Sequence, residues 1–260
     1  MRRVVALALA VPLLAAGSAA AATPKSPLAA YGYHLYGEYC LSCHGANAGG
    51  RLDTSPNGTG AGPGRAQQRQ QGLAPSLQGV GALAADFYLR AGLMPLRQIG
   101  LQPQRRAHAL FGNHQIRALV AYIATFGGPP IPKPKPSLGS VSQGLHLFTE
   151  DCAGCHQVVA QGGYVTGALP PPLTQGTTPL EVAEAVRIGP YVMPTFTKKA
   201  ISDRELDSIV RYVEYANRPE HPGGWSLDYL GPITEGLVTW FIAIPALLAL
   251  CLVIGRRFQP

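Results

Sequence analysis

The sequence predicts an all-α protein in which one small helical domain is repeated in tandem and followed by a transmembrane helix. Three observations carry that prediction. The pattern Cys-x-x-Cys-His occurs twice, at residues 40–44 and 152–156. A helical pattern at 116–123 recurs at 206–213 with its apolar positions and its tyrosine in the same places. An uncharged apolar run, 236–255, is followed at once by Arg256 and Arg257.

The chain opens on Met1-Arg2-Arg3, an apolar run and then small residues. Residues 1–22 are therefore expected to be an export signal or a retained N-terminal membrane anchor. Either reading puts the domain after this segment outside the cytoplasmic membrane.

Residues 23–127 are expected to form the first domain. Gly32, Leu35 and Tyr36 precede Cys40 as Gly144, Leu147 and Phe148 precede Cys152, on a helix that meets the core. His34 and His146 also precede the motifs but are read as a chance resemblance. In each motif two thiols can add across the vinyl groups of one haem, while the adjacent His44 or His156 binds the iron. The spacing suits that task, because both sulfurs must reach one porphyrin edge and the next side chain must reach its centre. A thioredoxin-like dithiol would need a strand-to-helix context that neither copy has. A single zinc shared by both pairs would have to join cysteines far apart in sequence, and would not need the histidines.

The segment 49–71 is polar, without apolar periodicity, and reads as a surface loop. A helical patch at 82–90 then leads to Met94-Pro95, and a helix at 179–188, started by Thr178-Pro179 with Glu181, leads to Met193-Pro194. Of three methionines in the chain, Met1 aside, one falls after each motif and each precedes a proline. A core role does not explain that matched placement. Met94 and Met193 are the expected sixth ligands, opposite His44 and His156, giving two covalently bound haem c groups held by Cys40, Cys43, Cys152 and Cys155. The closing helices come next, with Asp203 near the cap of the second. The motifs are offset by 112 residues, the methionines by 99 and the closing helices by 90, so the extra length of the first domain lies in loops at 49–74 and 97–112.

Residues 128–137 are rich in proline and read as a semi-rigid extended linker. Residues 138–218 form the second expected domain and 219–235 a membrane-proximal segment. The helix at 236–255 is long enough to span a bilayer, with Pro245 as a candidate kink and the C-terminus cytoplasmic.

Composition narrows the function. The net charge is +7, which can mean nucleic acid, but no aromatic and basic platform accompanies it. Residues 24–127 carry nine Lys or Arg against three Asp or Glu, and 137–221 carry six against nine. Two domains of opposite charge suit two different protein partners. Four of five cysteines are taken by haem, so no structural disulfide is expected.

With these motifs in place, the sequence resembles the dihaem cytochrome c subunit of the actinobacterial-type menaquinol–cytochrome c reductase, the cytochrome bcc complex. The likeness runs through 41–47, 75–81, Met94-Pro95, 152–156, Met193-Pro194, Pro222-Gly223-Gly224, Gly231-Pro232 and Glu235-Gly236. The approach to the C-terminal anchor is the most specific part. The resemblance implies two class I cytochrome c folds on the outer face of the cell membrane. It implies a Rieske iron–sulfur subunit, a cytochrome b subunit and a cytochrome aa-type oxidase as partners in a supercomplex. It also implies an electron-transfer role within a quinol–cytochrome c reductase, with no substrate-turnover site of the chain's own. The rival readings are a dihaem peroxidase, which needs an open iron position, and a dihaem subunit of another periplasmic dehydrogenase or oxidase.

Overall fold

The computed structural model describes residues 26–50, 74–97, 103–174, 176–218 and 232–257. The expected N-terminal segment 1–22, most of the 49–71 loop and most of the 219–235 segment lie outside these residues. Among the described residues there are helices and turns and no strand, apart from one isolated bridge between Val165 and Ala168.

The first repeat begins with helix α1, Pro27–Tyr39, capped by Ser26, whose side chain accepts from the Ala29 N–H. The short helix α2, Leu41–His44, comes directly after it. Helix α3 is Gly81–Arg90 and α4 is Asn113–Ile123. The second repeat has the same parts: α5, Val141–Asp151, α6, Ala153–His156, α7, Pro179–Ile188, and α8, Asp203–Asn217. Thr178 and Glu181 start α7 with a reciprocal capping box. Ser202, one residue before the expected Asp203, caps α8 by exchanging hydrogen bonds with Glu205.

Each repeat is built on a crossing of its first and last long helices, α1 on α4 and α5 on α8. The repeated glycines sit at these crossings. A Cβ on Gly32 would stand 1.9 Å from the Ala118 carbonyl oxygen, and one on Gly144 would stand 2.0 Å from that of Ser208. Only glycine lets the two backbones come that close. Around the first crossing pack Leu35, Tyr36, Leu89, Phe111, Leu119 and Ile123. Around the second pack Phe148, Val182, Val186, Ile209, Val210 and Val213.

The two repeats touch through equivalent helices, α3 of the first and α7 of the second. The proline-rich segment between them is strapped to both. The Leu83 N–H donates to the Pro129 carbonyl at 3.2 Å, and the Lys135 N–H donates to the Asp207 carboxylate at 2.6 Å.

The C-terminal unit, residues 218–260, holds α9, Pro232–Val238, a π-helical turn, Thr239–Ala243, and α10, Ile244–Arg257. Of this, Gly236–Arg257 is 22 residues with mean hydropathy 2.7, long and apolar enough to cross a membrane. Pro245 cannot donate to the carbonyl four residues back. The π turn just before it is where the helix absorbs that missing bond.

Candidate haem sites

The junction of α1 and α2 turns the first motif. Cys40 ends α1, its N–H donating to the Tyr36 carbonyl at 2.9 Å, and its own carbonyl accepts from Cys43 at 3.1 Å and His44 at 2.9 Å. The second motif is turned in the same way: Cys152 donates to Phe148 at 2.9 Å and accepts from Cys155 at 3.1 Å and His156 at 2.9 Å. One helical turn thus sets the two cysteines three residues apart on neighbouring positions of one face, with the histidine next in line.

Both histidines are buried, at 9% exposure. His44 Nδ1 lies 2.9 Å from the Pro75 carbonyl oxygen, and His156 Nδ1 lies 3.2 Å from that of Pro171. A carbonyl can only accept, so Nδ1 carries the proton and Nε2 is left with its lone pair free. Burial pulls both rings below the ordinary histidine range, opposed by those carbonyl bonds, and so favours the neutral, ligating form. The loops that supply the carbonyls match. His44 accepts from Gly50 and Ala48 accepts from Leu77, as His156 accepts from Gly162 and Ala160 from Leu173.

Met94 packs against the first apolar cluster together with Cys40. Met193 packs against the second, which includes Cys152. The Met94 N–H is held by the Tyr88 carbonyl at 3.0 Å, and the Met193 N–H by the Pro190 carbonyl at 3.1 Å. Around the second loop Arg187 donates to the Phe196 carbonyl at 3.1 Å and the Ile201 carbonyl at 2.6 Å, and pairs with Asp203 at 3.0 Å. Sequence reasoning passed over this arginine. Its place at the end of α7, before a loop that must be fixed, was the available signal.

Each repeat therefore carries two thiols and an imidazole with a free Nε2 on one helical turn, and a thioether side chain packed on the same apolar cluster as the first cysteine. That donor set fits a haem attached through its vinyl groups, with His and Met on the iron. It does not suit the rivals. Burial pushes the Cys40 thiol up to about 11 and the Cys152 thiol up to about 12, the opposite of an activated dithiol. Among the described residues, no three His, Cys, Asp or Glu side chains gather into a group that could hold a metal ion.

His34 and His146 correct the sequence reading. They occupy the same place in the two repeats, and each faces a glutamate one turn on: Glu38 at 3.4 Å and Glu150 at 3.5 Å. The repetition is part of the duplication rather than chance. Both rings are solvent-exposed and lie on the outer faces of α1 and α5.

Two all-helical repeats, each with a covalent haem site, and one apolar C-terminal helix define a membrane-associated dihaem cytochrome c. Residues 29–127 match the family model described as cytochrome c, and residues 139–213 match that of the cbb3-type cytochrome c oxidase subunit III. The chain accordingly carries two covalently bound haem c groups. The cytochrome bc1 complex cytochrome c subunit of Corynebacterium diphtheriae is 31% identical over 97% of this chain and 93% of its own. The subunits of the same name from Corynebacterium efficiens and Mycobacterium tuberculosis are 30% and 31% identical, over 99% and 94% of this chain and 90% and 87% of theirs. The chain belongs to this family, the cytochrome c subunits of the actinobacterial cytochrome bc1 complex. A solved chain of the Kuenenia stuttgartiensis reducing HAO-like protein complex is similar over 72% of this chain and 95% of its own, at 17% identity and a TM-score of 0.34.

Proposed function

We propose that this chain relays electrons, one haem to the next, from a Rieske iron–sulfur centre beside a cytochrome b subunit to a cytochrome aa-type oxidase. Cys40, Cys43, His44 and Met94 would hold the first haem, and Cys152, Cys155, His156 and Met193 the second. The bound haems supply one-electron chemistry, and methionine ligation raises their potentials. The protein fixes the ligands, buries the two histidines and joins the two sites through packed helices.

The observation that carries this reading is the contact of α3 with α7. These are the helices that lead into Met94 and Met193, so the methionine sides of both sites adjoin the joint between repeats. A histidine and a methionine for each haem would leave no iron position open to a substrate, which favours a relay over a peroxidase. Tunnelling falls steeply with distance, and two domains span a gap that one cannot.

The basic first repeat faces the quinol-oxidising side and the acidic second repeat the oxidase. The C-terminal helix anchors the chain, with both haem domains on the outer face of the cell membrane and Arg256 and Arg257 inside.

The test is kinetic, in the isolated supercomplex given a pulse of quinol. Cys155→Ala is expected to leave the first haem reducible and to stop oxygen consumption. Oxygen consumption that survives, or fast reduction of the second haem when Cys43→Ala removes the first, would break the serial order.

A further inference from the structure

At the α3–α7 joint three carboxyl groups are buried: Asp86, Glu181 and Glu184. Two have partners. Asp86 pairs with Arg90 Nε at 2.7 Å, and Glu181 pairs with Arg105 at 2.8 Å while also closing the α7 cap. Glu184 has neither oxygen bonded to any donor and is fully enclosed. The nearest guanidinium, Arg90, is already spent on Asp86 and on the Asn113 side chain at 3.0 Å.

The charges decide which form of Glu184 the joint favours. Asp86 and Glu181 balance Arg90 and Arg105. An ionised Glu184 would add an uncompensated buried charge beside two carboxylates, which is costly. Asp86, an acceptor, is the carboxylate that acts on it across the joint. Protonated, Glu184 could donate to it; ionised, it is left without a partner, so the acid form is favoured until the solution is alkaline enough to remove its proton. Among the described residues, Asp86, Arg90 and Glu181 are the charges that act on it. The face of α8 turned to α7 is apolar, with Leu206, Ile209, Val210 and Val213, and Arg187 points instead to the Met193 loop. Tyr88 of α3, raised by its burial, is set against the Tyr191 amide.

The joint is also where helices of the two haem cores meet. Ala85 and Leu89 of α3 belong to the first apolar cluster, and Val182, Ala183 and Val186 of α7 belong to the second. Glu184 lies between them. In such a weakly screened interior, a change of one charge on either iron acts on a buried acid.

We propose that Glu184 is a redox-linked proton site: in alkaline solution, where it is ionised beside oxidised haem, it takes up one proton from solvent when an electron enters the haem pair, and releases it when the electron leaves. The balance is one electron and one proton in, turning a ferric iron and a carboxylate into a ferrous iron and a carboxylic acid. The electron comes from the quinol-oxidising donor and the proton from water at the edge of the joint, where Arg90 and Arg105 are partly exposed. Linkage makes the effect reciprocal: protonated Glu184 favours reduced haem, so the potential falls as pH rises through its titration. Burial, with Asp86 beside it, pushes Glu184 up to about 8, which puts that titration just above neutrality.

This rests on the two-haem relay reading, so intact mass is measured first; fewer than two haem additions would sink that reading and not reach this one. The potentials are then followed against pH in the detergent-solubilised complex. The wild type is expected to show a fall in potential around pH 8, and Glu184→Gln to lose it while other titrations persist. Asp86→Asn removes a repelling charge and should move the fall to lower pH. Above that pH, reduction should also raise a protonated-carboxyl infrared band that shifts in heavy water, absent from Glu184→Gln. A flat wild-type profile, an unchanged slope in Glu184→Gln, or a wild type without the band overturns the proposal.

Discussion

The two methionines carry the redox character of each proposed site. Thioether sulfur stabilises ferrous iron more than imidazole does, so Met94→His and Met193→His should each lower the potential of one haem and leave the other near its original value. Redox titration followed in the haem absorbance bands checks it; a variant that shifts both haems equally, or neither, would remove that methionine from the iron. The two haems were legible because covalent attachment leaves a local Cys-x-x-Cys-His signature, and the methionines were proposed from one Met-Pro placed after each motif. Asp86 and Glu184 were not. Each is one polar residue on a helix that reads as amphipathic, and nothing local tells a polar position facing water from one facing a second domain. The pairing of His44 and His156 with the Pro75 and Pro171 carbonyls was hidden for a related reason: it joins parts brought together only by the folded loop.

At the scale of elements, the helix crossings decide stability. Gly32→Ala and Gly144→Ala would drive a methyl group into a backbone carbonyl across the crossing. Each should cost about 3 kcal/mol by overpacking. Gly37→Ala, on the same helix as Gly32 but with nothing within 4 Å of the added carbon, should instead be neutral or stabilise by up to about 1 kcal/mol. Denaturant unfolding of the haem-loaded protein, with the haem absorbance as the signal, separates the two outcomes. The repeated glycine eight residues before each motif was visible as a repeat. Its reason was not, because a close backbone approach depends on the partner helix. Helix α7 was legible to its ends, since proline, capping box and glycine bound it in sequence.

For the whole molecule, the proposed topology predicts that a reporter fused after Pro260 is active only if it works in the cytoplasm. Activity confined to the outer face would reverse the orientation. The duplication was legible because it is written in the chain as shifted copies of one pattern. The way the copies meet was not, since a shared face between domains leaves no periodicity of its own.

Helices α3 and α7 have ten residues each, and Asp86 and Glu184 are the sixth residue of each. Like touches like, as in a twofold homodimer, where one patch recognises its own copy. Equivalent positions therefore bring two carboxyls to one joint, and the halves differ in how they answer that: Arg90 guards Asp86, while Glu184 is left bare.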